Sequence, residues 1–167
     1  MSTDITDRDA VEKRLWGEIE KQHLGMLGVV EGEPHHFQPM TAFADRDAGR
    51  IWFFTRSDTD LAQDAANGRH AMFIVMTKDR ELQACIGGML SEQMDRAKLE
   101  KFWSPHVAAW FPEGKDDPKL TMLCLQCEDA RVWVSEAGPV KYLWEVTKAN
   151  ARGEMPEVGS RTDVNLS

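Results

Sequence analysis

The densest group of side chains that could do chemistry lies in the run I-W-F-F-T-R-S-D-T-D-L-A-Q-D-A-A-N, residues 51–67. Thr55, Ser57 and Thr59 can donate hydrogen bonds, and Arg56 supplies a full positive charge. They fall between an apolar, β-prone stretch and a short helix-like segment. A strand, a polar elbow and a helix start form a geometry suited to a phosphate, because free backbone N–H groups and the helix dipole both face the anion. The same residues have a plainer use. Thr59, Asp58 or Asp60 can cap the helix, and Asp60 with Gln63 has capping-box spacing. The two aspartates count against a dianion unless they face away.

The elements that must hold this elbow can be read outward from it. Upstream, H-F-Q-P-M-T-A-F predicts a strand over 37–44, and Gly49 closes a hairpin into the strand 50–55. Earlier still, residues 7–22 predict an amphipathic helix with Val11, Leu15, Trp16 and Ile19 on one face and Thr6 as N-cap. A strand follows over 23–31, where Gly25 and Gly28 admit another backbone at close range. Downstream, A-M-F-I-V-M predicts a strand over 71–76 buried on both faces. Residues 82–90 predict another, bulged or bent at Gly87–Gly88. A helix over 95–103 capped by Asp95, a strand pair over 119–126 and 130–135, and a helix over 141–150 complete the chain. Seven strands with glycine at the bends suggest a small closed or split barrel. One domain over residues 1–150 is expected, with 151–167 a polar, loose tail.

Composition limits the function. A net charge of −8 over 167 residues opposes nucleic-acid binding, which needs clustered Lys and Arg. No apolar run reaches spanning length and the first residues lack a signal-peptide core, so a cytoplasmic protein with no membrane association is expected. Three cysteines fit a reducing compartment. Cys124 and Cys127 form C-x-x-C, but within a strand their odd separation puts them on opposite faces, which favours structural thiols over a redox pair. His35–His36 lacks a third ligand at a motif spacing, so no metal is expected. Asp116–Asp117, flanked by Lys115 and Lys119, reads as a capped turn before Pro118. Trp52 reads as core. No Ser-His-Asp or Cys-His pairing can be assigned, and no general acid or base stands out.

The strand motifs Q-P-M-T, I-W-F-F-T, Met72–Met76 and I-G-G-M-L occur in this order. As a set they resemble the flavin-binding split-barrel proteins related to pyridoxamine 5'-phosphate oxidase. The segment W-S-P-H-V-A-A-W-F-P-E-G-K-D-D-P-K-L, Trp103–Leu120, is similar to the general stress protein 26 branch of that superfamily. The resemblance spans about residues 8–145. It implies a mainly β fold with flanking helices: an FMN-binding split β-barrel of six to seven mostly antiparallel strands. It also implies a homodimer with one FMN per protomer at the interface.

Carried over position by position, Pro39, Met40 and Thr41 match the strand beside the flavin ring, and Phe54 and Thr55 match the aromatic and threonine that meet it. Arg56, Ser57 and Thr59 match the phosphate elbow. Gln83 and Ile86 lie on a strand that approaches the flavin in relatives. Trp103 and Trp110 belong to the branch-specific segment, which in the resemblance covers the cofactor or the dimer contact. Relatives often have arginine where this chain has Gln38, and lysine at the helix start where it has Leu61. Arg56 is therefore expected to carry most of the phosphate charge, and Leu61→Lys to restore a cation. The C-terminal tryptophan and arginine motif of pyridoxamine 5'-phosphate oxidase proper has no match here, which disfavours vitamin B6 oxidation. The expected function is a flavin-dependent oxidoreductase linked to stress. Two alternatives stay open: a flavin-binding or flavin-storing protein without turnover, and a barrel that takes another cofactor such as F420.

Overall fold

The computed structural model describes residues 4, 6–33, 35–135, 139–156 and 159–167. Five helices and eight strands follow in the order α1 (Arg8–Gln22), β1 (Leu24–Val29), β2 (Gln38–Thr41), β3 (Phe43–Asp45), β4 (Arg50–Arg56), α2 (Asp60–Ala65), β5 (Arg69–Met76), β6 (Leu82–Glu92), α3 (Arg96–Phe102), α4 (Pro105–Ala108), β7 (Leu120–Val134), α5 (Pro139–Arg152) and β8 (Ser160–Asn165). All pairings are antiparallel, in the sheet order β2-β1-β5-β6-β7-β4-β3, with β8 added to β7.

This order dictates the shape. β2 and β3 stand at opposite ends of the sheet, yet only Ala42 separates them in sequence. The sheet must therefore curl until its two edges meet at that residue, which closes a split barrel. The strand expected over 37–44 is accordingly two strands. At Ala42, fully buried, the chain leaves β1 and joins β4. A corner of this kind carries no local signal, because both halves are β-prone.

Alternation along the strands sorts the apolar residues into two cores. Ile51 and Phe53 of β4, with Leu123, Leu125 and Cys127 of β7, point into the barrel with Phe73, Ile86 and the α1 face Val11, Leu15, Trp16 and Ile19. Trp52 of β4, with Met122 and Cys124 of β7, points outward into a second core with Leu99, Val107 and Phe111. The helices α3 and α4 supply that outer layer. The two cysteines of the C-x-x-C thus lie on opposite faces, as their spacing predicts, and Trp52 is core. Burial pushes Cys124 up to about 11 and Cys127 up to about 12, so neither is a thiolate near neutrality.

Four further expectations are corrected. β5 is buried on one face only: Ala71, Phe73 and Val75 point inward, while Met72, Ile74 and Met76 are exposed. The expected pair over 119–126 and 130–135 is one continuous strand. Its polar Glu128–Asp129 step is no turn; the register shift opposite Gly87 and Gly88 absorbs it. A Cβ on Gly88 would collide with the Gln126 carbonyl, so the bulge requires glycine there. Residues 160–165 of the expected loose tail form β8 against β7, with Val164 buried and Asp163 paired to Arg131 at 2.7 Å. The N-cap of α1 is Asp7, which accepts from the amides of Asp9 and Ala10, rather than Thr6. Among the described residues, no helix is long and apolar enough to cross a membrane.

Candidate functional site

Where the barrel edges meet, β2 and β4 run side by side and leave a cleft of about 450 Å³. Its lining comes from β2 (Pro39, Met40, Thr41), from β4 (Phe54, Thr55, Arg56), from Thr59 at the elbow, and from His106, Val107, Trp110 and Phe111 of the α4 region, with Leu24 and Phe43. The volume falls in the range of cofactor sites.

The apolar wall of this cleft is fixed before any ligand arrives. Phe54 packs edge-on to Phe43 at 5.3 Å and to Trp103 at 6.2 Å, and Trp103 stacks obliquely on Phe111 at 6.2 Å. These rings rest on the outer core, so their rotamers are set by packing. The α4 turn that brings Val107 and Phe111 into place begins with Ser104, whose Oγ accepts from the Val107 amide at 3.3 Å, followed by Pro105 in the first turn. Behind it, Lys98 of α3 holds Asp45 of β3 at 2.7 Å. Burial raises the Asp45 carboxyl, but Lys98 and then Lys101 outweigh that and leave it below its ordinary value.

The other end of the cleft is the polar elbow, and there the hydrogen bonds are mostly spent. Thr59 is the helix cap: its Oγ1 accepts from the Ala62 amide at 3.2 Å and donates to the Arg56 carbonyl at 2.9 Å. The Asp60–Gln63 capping box does not form. The Ser57 amide donates to the Lys119 carbonyl at 2.8 Å. Thr55 Oγ1 has only a long contact with Thr59 Oγ1, at 3.4 Å. The Arg56 guanidinium forks onto Asp58 at 3.2 and 3.3 Å, and Lys119 reaches the same carboxylate at 3.2 Å. Those two cations hold Asp58 below the usual carboxylate range.

The expected cofactor residues divide into groups. Pro39, Met40, Thr41, Phe54, Thr55, Arg56, Thr59 and Trp110 line the one cleft. Gln38 and Leu61 line a neighbouring cleft of about 560 Å³, which shares Thr59 and is walled by His35, His36, Asp58, Asp60 and Asp64. The Leu61 side chain is 4% exposed and belongs to the inner core, so a lysine there would point into the barrel rather than at an anion. Ser57 lies on the elbow but lines neither cleft. Gln83 is apart from both: it sits at the end of the exposed face of β5 and β6, opposite Met76 and Trp133, and donates to the Arg80 carbonyl at 2.8 Å. Ile86 is inside the barrel.

His35 is held by Asp64 at 2.6 Å, which raises its pKa, and no group of three potential ligands among the described residues could hold a metal ion. The Asp116–Asp117 pair lies in a turn whose start carries no side-chain cap; Asp117 instead accepts from the Lys119 amide across Pro118 at 2.9 Å, and Asp116 pairs with Arg96 at 3.1 Å. Sequence reasoning missed Leu24, Phe43, His106 and Val107 in the cleft, and Lys119 at the elbow. The Ser-Pro pair before His106 was a legible helix start. Lys119 had no signal of its own, because only the pairing of Arg56 with Leu120 brings it to Ser57.

The profile of the family described as "Pyridoxamine 5'-phosphate oxidase like" matches residues 9–157. General stress protein 26 of Bacillus subtilis is 27% identical over 129 residues, covering 73% of this chain and 87% of its own length. A crystal structure of a candidate general stress protein 26 from Jannaschia sp. CCS1 superposes with a TM-score of 0.77 at 32% identity, over 94% of this chain and 99% of that one. A "general stress FMN/FAD binding protein" from Xanthomonas citri superposes with a TM-score of 0.72 at 35% identity, over 78% of this chain and 92% of that one.

Proposed function

The chain belongs to the pyridoxamine 5'-phosphate oxidase-like family, in its general stress protein 26 branch, and on that footing we propose that it is a flavin-binding protein whose cofactor is FMN. The observation that carries this reading is the preset aromatic cleft between β2, β4 and α4, where eight of the positions expected to meet a flavin come together. The Xanthomonas citri relative is named as binding FMN or FAD, which supports the same ligand class.

The fit divides along the cleft. Met40, Phe43, Phe54, Trp110 and Phe111 offer an apolar surface suited to the isoalloxazine ring and exclude water from it. Thr55 Oγ1, only weakly engaged by Thr59, is a donor for a ring or ribityl oxygen. Arg56 and Ser57 are the groups left for the phosphate. A bound flavin would supply electron-transfer chemistry that no side chain here provides. The protein's part is to orient the ring and control access to it.

The proposal extends to a homodimer in the cytoplasm. Met26, Met72, Ile74, Met76 and Trp133 form an exposed apolar face on β1, β5 and β7, a patch that a second copy would cover. Gln83 borders that face, where it would approach the partner's cleft. The three free thiols accord with a reducing compartment. Sedimentation should give twice 18.9 kDa, and Ile74→Glu should shift it towards monomer. A monomeric wild-type protein would remove this part of the proposal.

The visible spectrum of the purified protein, with mass identification of the released cofactor, tests the central reading. Flavin bands with the mass of FMN are expected. A deazaflavin mass would replace FMN with F420. Reduction of the bound flavin by NADH or NADPH with turnover of an acceptor would establish an oxidoreductase. Its failure with every donor would favour a flavin-storing role.

A further inference from the structure

We infer that Asp58 is a built-in competitor for the cofactor's phosphate, so that this site holds a flavin by its ring and discriminates only weakly between phosphorylated and unphosphorylated flavin. The inference rests on the flavin reading above and concerns what sets its selectivity.

The argument starts from charge. Of the described residues lining the two clefts, Arg56 alone carries a permanent positive charge. Lys119, the residue before β7, joins it at the elbow. Both already point at one carboxylate, at 3.2–3.3 Å, in the fork that guanidinium makes with carboxylate or phosphate. Asp60 adds a second negative charge at the start of α2. The four charges sum to zero, so an arriving phosphate meets a neutral elbow whatever rotamer Arg56 adopts. Gln38 and Leu61 contribute no charge to offset this.

The neutral donors do not make up the difference. Thr59 Oγ1 has given its proton to the Arg56 carbonyl, and the Ser57 amide is used by Lys119. Among the side-chain hydroxyls, those of Ser57 and Thr55 remain, and the first amides of α2 add only the partial charge of a six-residue helix. The ring end of the cleft is unaffected, because Phe43, Phe54, Trp103 and Phe111 pack on the outer core independently of the elbow. Asp58 is thus a specificity-determining residue. It fills the place of the missing anion and removes the electrostatic reward for binding one.

The test compares FMN with riboflavin by quenching of flavin fluorescence, in wild type, Asp58→Asn and the Asp58→Asn/Arg56→Ala double variant, at low and high salt. In wild type the two ligands should bind within about threefold of each other, since the elbow gives little net attraction. Asp58→Asn unmasks one net positive charge and should tighten FMN on the order of fivefold while leaving riboflavin unchanged, the gain shrinking at high salt. The double variant should lose that gain. Asp58 is half exposed, so unchanged melting of the variant would show that the fold is intact. The inference is overturned if wild type prefers FMN by about thirtyfold or more, or if Asp58→Asn leaves FMN binding unchanged or weaker. If wild type binds neither flavin, the flavin reading itself fails. If it binds both and Asp58→Asn changes nothing, only the role of Asp58 fails.

Discussion

The two ends of the cleft are built on different principles. The aromatic end is held from behind: Phe54 contacts Phe43 and Trp103, and those rings sit on a core made by α3, α4 and the outer faces of β4 and β7. At the elbow Thr55, Arg56 and Thr59 are half-buried, Ser57 and Asp58 are exposed, and the group satisfies itself through Asp58 and the Thr59 cap. The first end has rigid surface waiting for a ligand, and the second has already made its own bonds. Residue type alone would rank them the other way, because arginine, serine and threonine look like a binding site and phenylalanines look like core. What decides is whether a group's interactions are complete without the ligand.

The largest effect that sharpens this contrast is expected at Leu61. Sequence comparison suggests that a lysine there would strengthen the elbow. In the fold the side chain is buried among inner-core residues, and a charge placed there would have to leave water. Leu61→Lys should cost about 3–5 kcal/mol of stability in chemical denaturation, with no gain in FMN affinity. A stable variant that binds FMN more tightly would show that position 61 does serve the elbow.

Next in size are the walls of the aromatic end. Phe54→Ala removes a ring from both the cleft and the outer core. It should weaken FMN and riboflavin alike, by about tenfold, and lower stability by about 2 kcal/mol. Trp110 is 71% exposed. Trp110→Ala should weaken both flavins several-fold, roughly, and leave thermal stability unchanged. A loss confined to FMN in either variant would mean that the two ends are not separate.

The smallest effect concerns the strut behind the wall. The Asp45 carboxyl is held below its ordinary value by Lys98, so its contribution is present above the unfolded value of about 4 and is lost as pH falls through the lower folded one. Stability should therefore drop below about pH 4, and Asp45→Asn should flatten that limb of the profile. An unchanged acid limb would show that the Asp45–Lys98 pair does not fasten α3.

Much of the fold was legible in the sequence because it follows from local periodicity. The α1 face, the apolar β-prone run of β4 and the Gly87–Gly88 bulge each leave a pattern within a dozen residues. What was not legible depends on partners far along the chain. Residues 37–44 break at Ala42 because the barrel closes there. The outer face of β5 is exposed at Met72, Ile74 and Met76, whereas residues of α3 and α4 pack on the outer face of β4. The strand 160–165 is polar and carries one buried valine, so only its pairing with β7 reveals it. The cleft shows the same division. Pro39, Met40, Phe54 and Trp110 were identified from the family resemblance, whereas Leu24, Phe43 and Val107 were not, and the approach of Lys119 to Asp58 emerges only when Leu120 is laid beside Arg56.

The most direct test of the account is a titration of cofactor-free protein with FMN, followed by fluorescence quenching and repeated with riboflavin. The account predicts saturable quenching by both ligands at about one flavin per chain, with the ring rather than the phosphate setting the affinity. Absence of quenching by either ligand at protein concentrations of about 50 µM would contradict it, because a preset aromatic cleft of this size would then not be a flavin site.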